Sequence, residues 1–390
     1  MRIEELRLKN FKVFKDLKLT NLPNMIVFLG ANGSGKSTLF EAFGFLHDSL
    51  IDNVRVALTK RGGFKEVVSR GETGPIEFEI KFRNNPIGPL ATYELHIDLD
   101  DRGLPVVTKE ILKYRLGQKG MPWHLLDFSY GSGTAIVNES EYGQIGAVIK
   151  REEQKLDSPD ILAIKGLGQF QKFTQVATIR RLIEGWHVSD FHIYAARTSQ
   201  EAGYAEHLSS TGENLPLVAQ FMFEHFPERF KKILRKMEQR VPGVTSVEAK
   251  ETEDGRMVLR FQDGSFKDPF VARYVSDGTI KMFAYLILLN DPKPHPFLCI
   301  EEPENQLHPE LLVELAEEFR SYTEEGGQVF ISTHSPDFVN NVELNELFWL
   351  TKTNGFSHIK RASDNELLRS LVKEGDKLGY LWKQGFFEGA

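Results

Sequence analysis

Cysteine is almost absent from this sequence: of 390 residues, Cys299 alone is a cysteine, and it lies in the apolar run Phe297–Ile300. A single thiol excludes an intrachain disulfide, and its apolar neighbours predict a buried core residue. Long apolar runs are absent too, since none approaches the roughly 18 residues that a membrane helix requires. No signal-peptide core follows Met1. These absences predict a cytoplasmic protein with no membrane segment.

An excess of positive charge is also missing. Lysine and arginine total 48 against 55 aspartates and glutamates, which gives a net charge of −7 at pH 7. This balance gives no general indication of nucleic-acid binding, although it leaves room for a local basic face. The composition, with 41% hydrophobic and 26% charged residues, is that of an ordinary globular protein. The length allows two or three domains, or one large α/β domain with insertions.

What the sequence does contain is a complete phosphate-loop motif, G-x-x-x-x-G-K-[ST], at residues 30–37. An apolar run predicted to be a buried strand precedes it, and a predicted helix follows. Loop N–H groups are expected to surround the phosphates, Lys36 to reach the β and γ oxygens, and Ser37 to ligate Mg²⁺. The predicted nucleotide-binding residues are Asn32, Gly33, Ser34, Gly35, Lys36, Ser37 and Thr38. The motif therefore predicts binding of a nucleoside triphosphate with Mg²⁺.

Apolar periodicity outlines the rest of the chain. Alternation within residues 1–20 predicts a hairpin that leads into the phosphate-loop strand. Three later runs predict an antiparallel meander, near residues 76–82, 93–97 and 106–116. Helices are predicted near residues 169–184, 213–225 and 227–240, and short strands near 244–250 and 257–262. We therefore predict three parts: an N-terminal ATPase lobe at 1–130, an inserted helical or mixed lobe at 131–265, and a C-terminal ATPase lobe at 266–390.

The third of these helices carries a basic stripe. Lys232, Lys236 and Arg240 recur at four-residue spacing and so share one face. A DNA contact is one interpretation, but a solvated face is favoured because Glu228 and Glu238 dilute the charge.

A Ser-x-Gly segment, Ser276 to Gly278, opens an apolar helix in the last third of the chain. A hydroxyl, free N–H groups and the positive end of a helix dipole together suit a phosphate. Alone, the segment indicates only a well-capped helix.

Two apolar strands then end in residues that could act on a phosphate. The run 297–300 is followed by Glu301 and Glu302, the form of a Walker B segment, in which one acid serves Mg²⁺ and the next polarises water. Neighbouring side chains on a strand point opposite ways, which allows these separate roles. The run 328–332 leads to His334, which can hydrogen-bond a γ-phosphate or the attacking water. Alone, His334 would be interpreted as a structural histidine.

The four motifs are the phosphate loop, the Ser-x-Gly helix start, the strand that ends in two glutamates and the strand that leads to His334. Their order resembles that of the ABC-type ATPase heads, in the branch that includes RecF, the SMC heads and the overcoming-lysogenization-defect ATPases. The opening Leu8-Lys9-Asn10-Phe11-Lys12 is similar to that branch's N-terminal signature, and Ile300-Glu301-Glu302-Pro303-Glu304 with Leu307-His308-Pro309 to its Walker B and D-loop. The resemblance covers residues 1–115 and 270–345 and implies an α/β ABC ATPase head: a mixed central sheet with flanking helices, an N-terminal antiparallel β meander and an inserted helical lobe.

The resemblance implies an ATPase whose ATP and Mg²⁺ are sandwiched between two chains. Lys36 of one chain and Ser276 and Gly278 of its mate would share the γ-phosphate in a homodimer or higher oligomer. Glu302 is the implied base, His334 the γ-phosphate sensor, and Ser37 with Glu301 the metal ligands. Two positions depart from the common pattern: Glu301 replaces an aspartate, and Val275-Ser276-Asp277-Gly278-Thr279 replaces Leu-Ser-Gly-Gly-Gln. Gln118 and Gln144 match a glutamine loop by position only.

Related heads carry a long coiled coil or a C-terminal Toprim nuclease, and neither is expected here. No heptad run is present, and the one Asp-x-Asp triplet, Asp98 to Asp100, is more simply a turn. The sequence therefore predicts a stand-alone ATPase subunit. The resemblance, which extends to compact two-gene bacterial systems, implies that this subunit regulates or powers a separately encoded nucleic-acid-processing partner, a nuclease in anti-phage defence or DNA repair.

Two alternatives remain open at this point: a RecF-like repair ATPase that binds DNA through the basic stripe, and an ATP-dependent scaffold that requires no hydrolysis. The aromatic tail at 378–387 could dock a partner, but packing against its own domain is slightly favoured.

Overall fold

This computed structural model describes residues 2–84, 88–115, 123–139, 150–189, 191 and 193–387. Within these ranges the strands are numbered β1–β18 and the helices α1–α13 in chain order. They form three sheets with helices packed between and around them. Gln118 and Gln144, the two candidates for a glutamine loop, lie outside the described residues.

A central sheet of six strands carries the phosphate loop. Its members in spatial order are β10 (Trp186–Ser189), β15 (Phe297–Glu301), β16 (Gln328–Thr333), β3 (Met25–Leu29), β17 (Leu347–Thr353) and β18 (Phe356–Arg361). The first five are parallel, and β18 pairs antiparallel with β17. Every residue of β3 and β16 is buried, as continuous apolar runs in a parallel sheet require. The carboxyl ends of β15, β16 and β3 therefore lie side by side.

The predicted hairpin and meander form one antiparallel sheet of eight strands. In spatial order these are β2 (Phe14–Leu19), β1 (Arg2–Phe11), β4 (Ile76–Arg83), β5 (Leu90–Leu99), β6 (Pro105–Arg115), β7 (Trp123–Ser129), β8 (Ser132–Ile136) and β9 (Arg151–Lys155). Burial alternates along β4, so one face packs inward. After β5, Asp100 Oδ1 accepts hydrogen bonds from the N–H groups of Arg102 and Leu104, which confirms the predicted turn.

A third, smaller sheet contains the two predicted short strands. Its members are β11 (Gln200–Glu201), β12 (Val244–Glu251), β13 (Arg256–Asp263) and β14 (Phe270–Val271). Gly255, at the turn between β12 and β13, has a φ of 74°, a conformation that glycine adopts without strain.

Helices pack around the three sheets, and some of them cover the two faces of the central sheet. They are α1 (Lys36–Ile51), α2 (Val54–Thr59), α3 (Phe64–Val67), α4 (Ala163–Leu167), α5 (Thr174–Glu184), α6 (Ile193–Ala196), α7 (Leu215–His225), α8 (Pro227–Arg240), α9 (Asp277–Leu289), α10 (Pro309–Glu324), α11 (Pro336–Val339), α12 (Glu366–Glu374) and α13 (Leu378–Lys383). Successive side chains of β3 enter different cores: Phe28 packs toward α1 and Val27 toward α9 and α10. The sheet is thus a layer between two hydrophobic cores.

The middle of the chain contributes to all three sheets. β8 and β9 extend the antiparallel sheet, β10 forms an edge of the central sheet, and β12 and β13 belong to the third sheet. The domain boundaries at 130 and 265 stay a prediction. The aromatic tail packs on its own domain, since Leu381 and Phe387 are buried and the rings of Phe387 and Trp349 lie 5.6 Å apart.

The basic stripe on α8 is neither a solvated face nor a free DNA-binding face. Lys236 pairs with the buried Glu318 of α10, and Arg240 Nη2 lies 2.6 Å from the other oxygen of that carboxylate. Arg240 Nε also lies 2.9 Å from Glu314. Two of the three cations therefore join α8 to α10, while Lys232 stays exposed.

Among the described residues, no helix combines the length and the apolarity that crossing a membrane would take.

Candidate nucleotide-binding and hydrolysis site

The phosphate loop connects β3 to α1 and depends on glycine at two positions. Gly33 and Gly35 have φ values of 77° and 105°. At Gly35 a Cβ would also lie 2.7 Å from Ser357 Oγ, so no other residue fits without displacing β18. Ser357 in turn donates a hydrogen bond of 2.6 Å to the carbonyl of Ser34. The loop is thereby held in shape by its own backbone and by the neighbouring hairpin.

Lys36 is buried at the first turn of α1, and its ammonium group is held by the loop itself. Nζ donates to the carbonyl of Gly30 at 2.7 Å and to that of Ala31 at 3.3 Å. Burial lowers the pKa of Lys36, and the charges of Glu302, Glu304 and Glu301 oppose that shift. An ammonium group in this position can exchange carbonyl partners for phosphate oxygens, which are stronger acceptors.

Ser37 and Glu301 come together although they are far apart in sequence. Ser37 Oγ donates to Glu301 Oε2 at 2.7 Å. The contact arises because β15 is separated from β3 only by β16, so residues at the carboxyl ends of these strands meet at one edge. A hydroxyl and a carboxylate are oxygen donors, which Mg²⁺ prefers, so this pair fits the predicted metal ligands.

Glu302 is the next residue in the chain, and its contacts differ from those of Glu301. Its φ is 41°, unusual for a residue other than glycine and found where the surrounding structure enforces it. Its N–H donates to the carbonyl of Ser332 at 2.9 Å, while its carboxylate accepts from Asn305 at 3.0 Å. Nδ1 of His334 lies 3.1 Å from Oε1 of Glu302. The predicted base and the predicted sensor are therefore in contact.

The pKa of Glu302 reflects this environment. Burial alone would raise it, but the hydrogen bond from Asn305 and the charges of His334 and Lys36 outweigh burial and hold the pKa below its usual value. Glu302 is therefore ionised at neutral pH and able to accept a proton through a hydrogen bond.

Sequence reasoning left Glu304 without a role, although it lies within the quoted Walker B segment. It is 9% exposed, accepts from Thr333 Oγ1 at 2.6 Å and from the N–H of His334 at 3.1 Å, and so fixes the turn that presents His334. Glu304 Oε2 and Ser332 Oγ are buried, and neither has a hydrogen-bond partner among the described residues. A third acid in this segment was the signal that could have identified it.

The signature helix α9 presents Ser276 at its start, where Oγ accepts from the N–H of Thr279 at 3.2 Å. A Cβ at Gly278 would lie 2.9 Å from the carbonyl oxygen of Gln306, so glycine lets α9 approach the turn after Glu302. Lys281, one turn further on, donates to the carbonyl of Asn305 at 2.8 Å. Gly278 and Lys281 thus join the start of α9 to the turn at 302–307. Lys36, Ser37, Glu301, Glu302 and His334 instead form the cluster beside the phosphate loop.

Comparison with family models gives two matches. Residues 1–242 match the family described as "AAA ATPase domain", and residues 147–340 match one described as "AAA domain, putative AbiEii toxin, Type IV TA system".

Curated relatives and solved structures agree with these matches. The DNA replication and repair protein RecF of Listeria welshimeri is 30% identical over 156 residues, 37% of this chain and 42% of that protein. RecF of Lactococcus lactis subsp. cremoris is 46% identical over 46 residues, 12% of this chain and 13% of that protein. The chain thus spans less than half the length of the curated relatives it matches.

A crystal structure of an SMC head bound to the C-terminal winged-helix domain of ScpA shares the fold. Its TM-score is 0.55 at 15% identity, covering 92% of this chain and 97% of that one. The predicted likeness to the RecF and SMC branch and the predicted fold class are confirmed. By the family model that covers most of its length, and with the fold of an SMC ATPase head, the chain belongs to the AAA ATPase domain family.

Proposed function

We propose that this chain hydrolyses ATP with Mg²⁺ at a site completed by a second copy of itself. The observation that carries the proposal is the convergence of Ser37 with Glu301 and of Glu302 with His334, beside Lys36. These pairs supply the separate tasks that hydrolysis of a γ-phosphate requires: charge neutralisation, metal ligation and orientation of water.

In this mechanism, Lys36 leaves its loop carbonyls and binds the phosphate oxygens of ATP. Bound Mg²⁺, held by Ser37 and Glu301, would supply further neutralisation of the developing charge. Glu302 accepts a hydrogen bond from the attacking water and orients it, and its lowered pKa keeps it unprotonated for this purpose. His334, positioned by Glu304, donates a hydrogen bond toward the γ-phosphate.

The second copy contributes Ser276, Gly278 and the N-terminal end of α9. This end lies on the turn at 302–307 of its own chain, with Ser276 exposed and a phosphate-compatible hydroxyl and helix dipole. Two chains related by a two-fold axis would each place α9 on the phosphate loop of the other. ATP then becomes part of the interface, and its hydrolysis weakens the dimer.

The test is the molar mass of the Glu302→Gln variant, measured by light scattering with and without Mg-ATP. This variant should bind ATP and retain it, so we expect the mass to double on addition of Mg-ATP. Phosphate release should fall by about 10³-fold relative to the unmodified chain, by analogy with the loss of one positioned catalytic group.

The matched control is Glu317→Gln, the same chemical change at an exposed position of α10. It should leave both the mass and phosphate release unchanged. A mass that does not respond to ATP would contradict the two-chain site, and normal phosphate release by Glu302→Gln would contradict the role of the acid. Normal biological function of a hydrolysis-deficient variant would instead favour the scaffold alternative.

We further propose that the ATP cycle controls a nucleic-acid-processing partner, a separately encoded nuclease in anti-phage defence or DNA repair. Support comes from relatives whose names include DNA replication and repair, from an SMC head bound to ScpA, and from a family whose description names a toxin. With duplex DNA present, we expect wild-type ATPase to rise, whereas DNA-independent turnover would favour a partner that acts without DNA.

One surface favours direct contact with DNA, and it is not the stripe on α8. A cavity of about 590 Å³ beside the start of α9 is lined by Arg197, Arg256 and Arg273, together with Tyr194. Asp277 holds Arg197 at 2.5 Å, and Tyr194 is 85% exposed. Guanidinium groups with an exposed aromatic ring suit phosphates and unstacked bases.

Replacing Arg256 and Arg273 by alanine should weaken DNA binding at all sequences and reduce the slope of log affinity against log salt by about two. Lys232→Ala, which removes an exposed cation elsewhere, should leave both quantities near wild type. Equal losses per cation removed in the two variants would indicate diffuse charge attraction without a defined surface.

A further inference from the structure

Three residues from separate segments meet at the end of the Walker B strand opposite the catalytic acids. His207 precedes α7, Asp291 follows α9, and His295 precedes β15. One donor atom from each lies within 4.8 Å of the others. This grouping lies outside the nucleotide site, whose acids are at the carboxyl end of β15.

The hydrogen bonds of His295 fix which of its ring nitrogens is available. Nδ1 lies 3.1 Å from the carbonyl oxygen of Gly185, a partner that can only accept, so Nδ1 carries the proton. Nε2 is left with its lone pair; it is buried and has no hydrogen-bond partner among the described residues. A histidine whose second nitrogen donates to a backbone carbonyl has the arrangement typical of metal ligands.

Asp291 is 4% exposed, too buried for a carboxylate without partners. Its Oδ1 accepts from the N–H of Lys293 at 2.8 Å, and its Oδ2 lies 2.7 Å from Nδ1 of His207. The carboxylate is thus oriented by the backbone, and one oxygen faces the imidazole. A cation that displaces the shared proton would be bound by both groups.

Access to the cluster comes from the surface. The His207 side chain is 41% exposed, and His207 and Asp291 line a cavity of about 250 Å³ together with Glu206 and His225. A bound ion could therefore enter from solvent and keep a water molecule as its fourth ligand.

We propose that His207, Asp291 and His295 form a binding site for a first-row divalent transition ion, with Zn²⁺ as the first candidate. Two imidazoles and one carboxylate are a donor set that suits Zn²⁺ and its neighbours rather than Mg²⁺, which prefers oxygen donors alone. Because the ligands come from three segments, the ion would join the loop before α7 to the start of the Walker B strand.

The test is calorimetric titration of the full, nucleotide-free chain with ZnCl₂ after dialysis against a chelator, followed by the same titration with MgCl₂. We expect one strong Zn²⁺ site per chain that Mg²⁺ does not occupy. In parallel, CoCl₂ should give visible absorption from nitrogen and oxygen ligands, which reports the donor set without any measurement of activity.

His207→Asn is the principal variant, because His207 is the most exposed of the three ligands and its loss disturbs packing least. Its Zn²⁺ affinity should fall at least 10-fold, as should that of Asp291→Asn. His225→Asn removes a nearby exposed imidazole that is outside the cluster and is the matched control. Thermal melting of each variant without metal establishes that it is folded.

The proposal is overturned if the unmodified chain binds no Zn²⁺ more strongly than His207→Asn does. Equal loss in His225→Asn would also overturn it, because the binding would then be general to surface imidazoles. If Asp291→Asn does not fold, His207→Asn and the cobalt spectrum of the unmodified chain decide the question.

Discussion

A single buried acid, Glu110 on β6, makes stability depend on pH far from the nucleotide site. Its carboxylate is 1% exposed and accepts hydrogen bonds from Tyr93 at 3.0 Å and from the N–H groups of Ala163 and Ile164 at 2.5 and 2.9 Å. Burial raises the pKa of Glu110 to about 7, and these three donors only partly oppose it.

The direction in which stability changes with pH follows from the linkage between proton binding and folding. The pKa of Glu110 is 4.5 in the unfolded chain and about 7 in the folded chain. At any pH between these two values, the folded chain therefore binds more protons than the unfolded chain. Stability therefore falls as pH rises through this window, by on the order of 3 kcal/mol. Glu110→Gln should remove this contribution, and denaturant unfolding at pH 5 and pH 8 measures it.

Glu139 provides the comparison, because burial also raises its pKa to about 7 and it would keep its own contribution in the variant. Glu110→Gln and Glu139→Gln should each flatten part of the pH dependence. An unchanged pH dependence in Glu110→Gln would show that its carboxyl is not ionised within this range.

At the residue scale, the sequence was sufficient to predict which acids and which histidine lie together beside the phosphate loop, but not which acids are buried elsewhere. Ser37, Glu301, Glu302 and His334 follow strands whose carboxyl ends share one edge, so motif and topology together bring them close. Glu110 belongs to no motif, and its role depends on packing against α4, a contact between distant segments. No pattern in the sequence reports such a contact.

At the scale of elements, α8 shows that periodicity predicts which residues share a helix face but not what packs against that face. Four-residue spacing correctly placed Lys232, Lys236 and Arg240 on one face of a helix, and the helix has the predicted bounds. What covers that face depends on the tertiary position of α10, whose Glu318 is buried between two of the cations. Periodicity therefore predicts the helix and which residues share its face, but not which element covers that face.

Glu318→Ala would leave Lys236 and Arg240 partly buried without their shared carboxylate. We expect a loss of about 3 kcal/mol in the free energy of unfolding, as for other broken buried pairs. Denaturant unfolding measures it. Glu317→Ala, at an exposed position next to it on α10, should change stability by under about 0.5 kcal/mol. Similar values for the two would mean that the pairing between α8 and α10 is energetically neutral.

The tail helix α13 depends on a glycine at its contact with α11. A Cβ at Gly379 would overlap the carbonyl oxygen of Pro336, and the N–H of Gly379 donates to Asn340 at 2.9 Å. Gly379→Ala should therefore release the tail and increase proteolytic cleavage near Trp382. Gly203→Ala is the control, since the nearest atom to its added methyl group lies 3.8 Å away. Equal protection in the two variants would contradict tight docking of α13.

At the scale of the whole molecule, the proposed two-chain site predicts rescue by mixing inactive variants. Lys36→Met removes the ammonium group that is proposed to bind phosphate. Ser276→Asp would place a negative charge against that phosphate while keeping a residue that caps α9 well. Each variant alone should be inactive. A mixed dimer combines the intact phosphate loop of one chain with the intact signature helix of the other, so an equal mixture should recover about a quarter of wild-type phosphate release.

Mixing Lys36→Met with Glu302→Gln is the control for this experiment. In the proposed mechanism Lys36 and Glu302 belong to the same half-site, so no combination of these chains would restore a complete site, and the mixture should stay inactive. Activity in this control, or its absence in the first mixture, would exclude a site shared in the proposed way.

Lys281 has a consequence for how two such sites would work together. It joins the helix that a chain offers to its mate to the turn that follows the chain's own Glu302. In the proposed mechanism, movement of that helix when the mate binds ATP would therefore be transmitted to Glu302, the acid proposed to activate water in the other site. The turnover rate of the unmodified chain should depend on ATP concentration in a sigmoidal way, with a Hill coefficient above one. In Lys281→Met the same dependence should be hyperbolic.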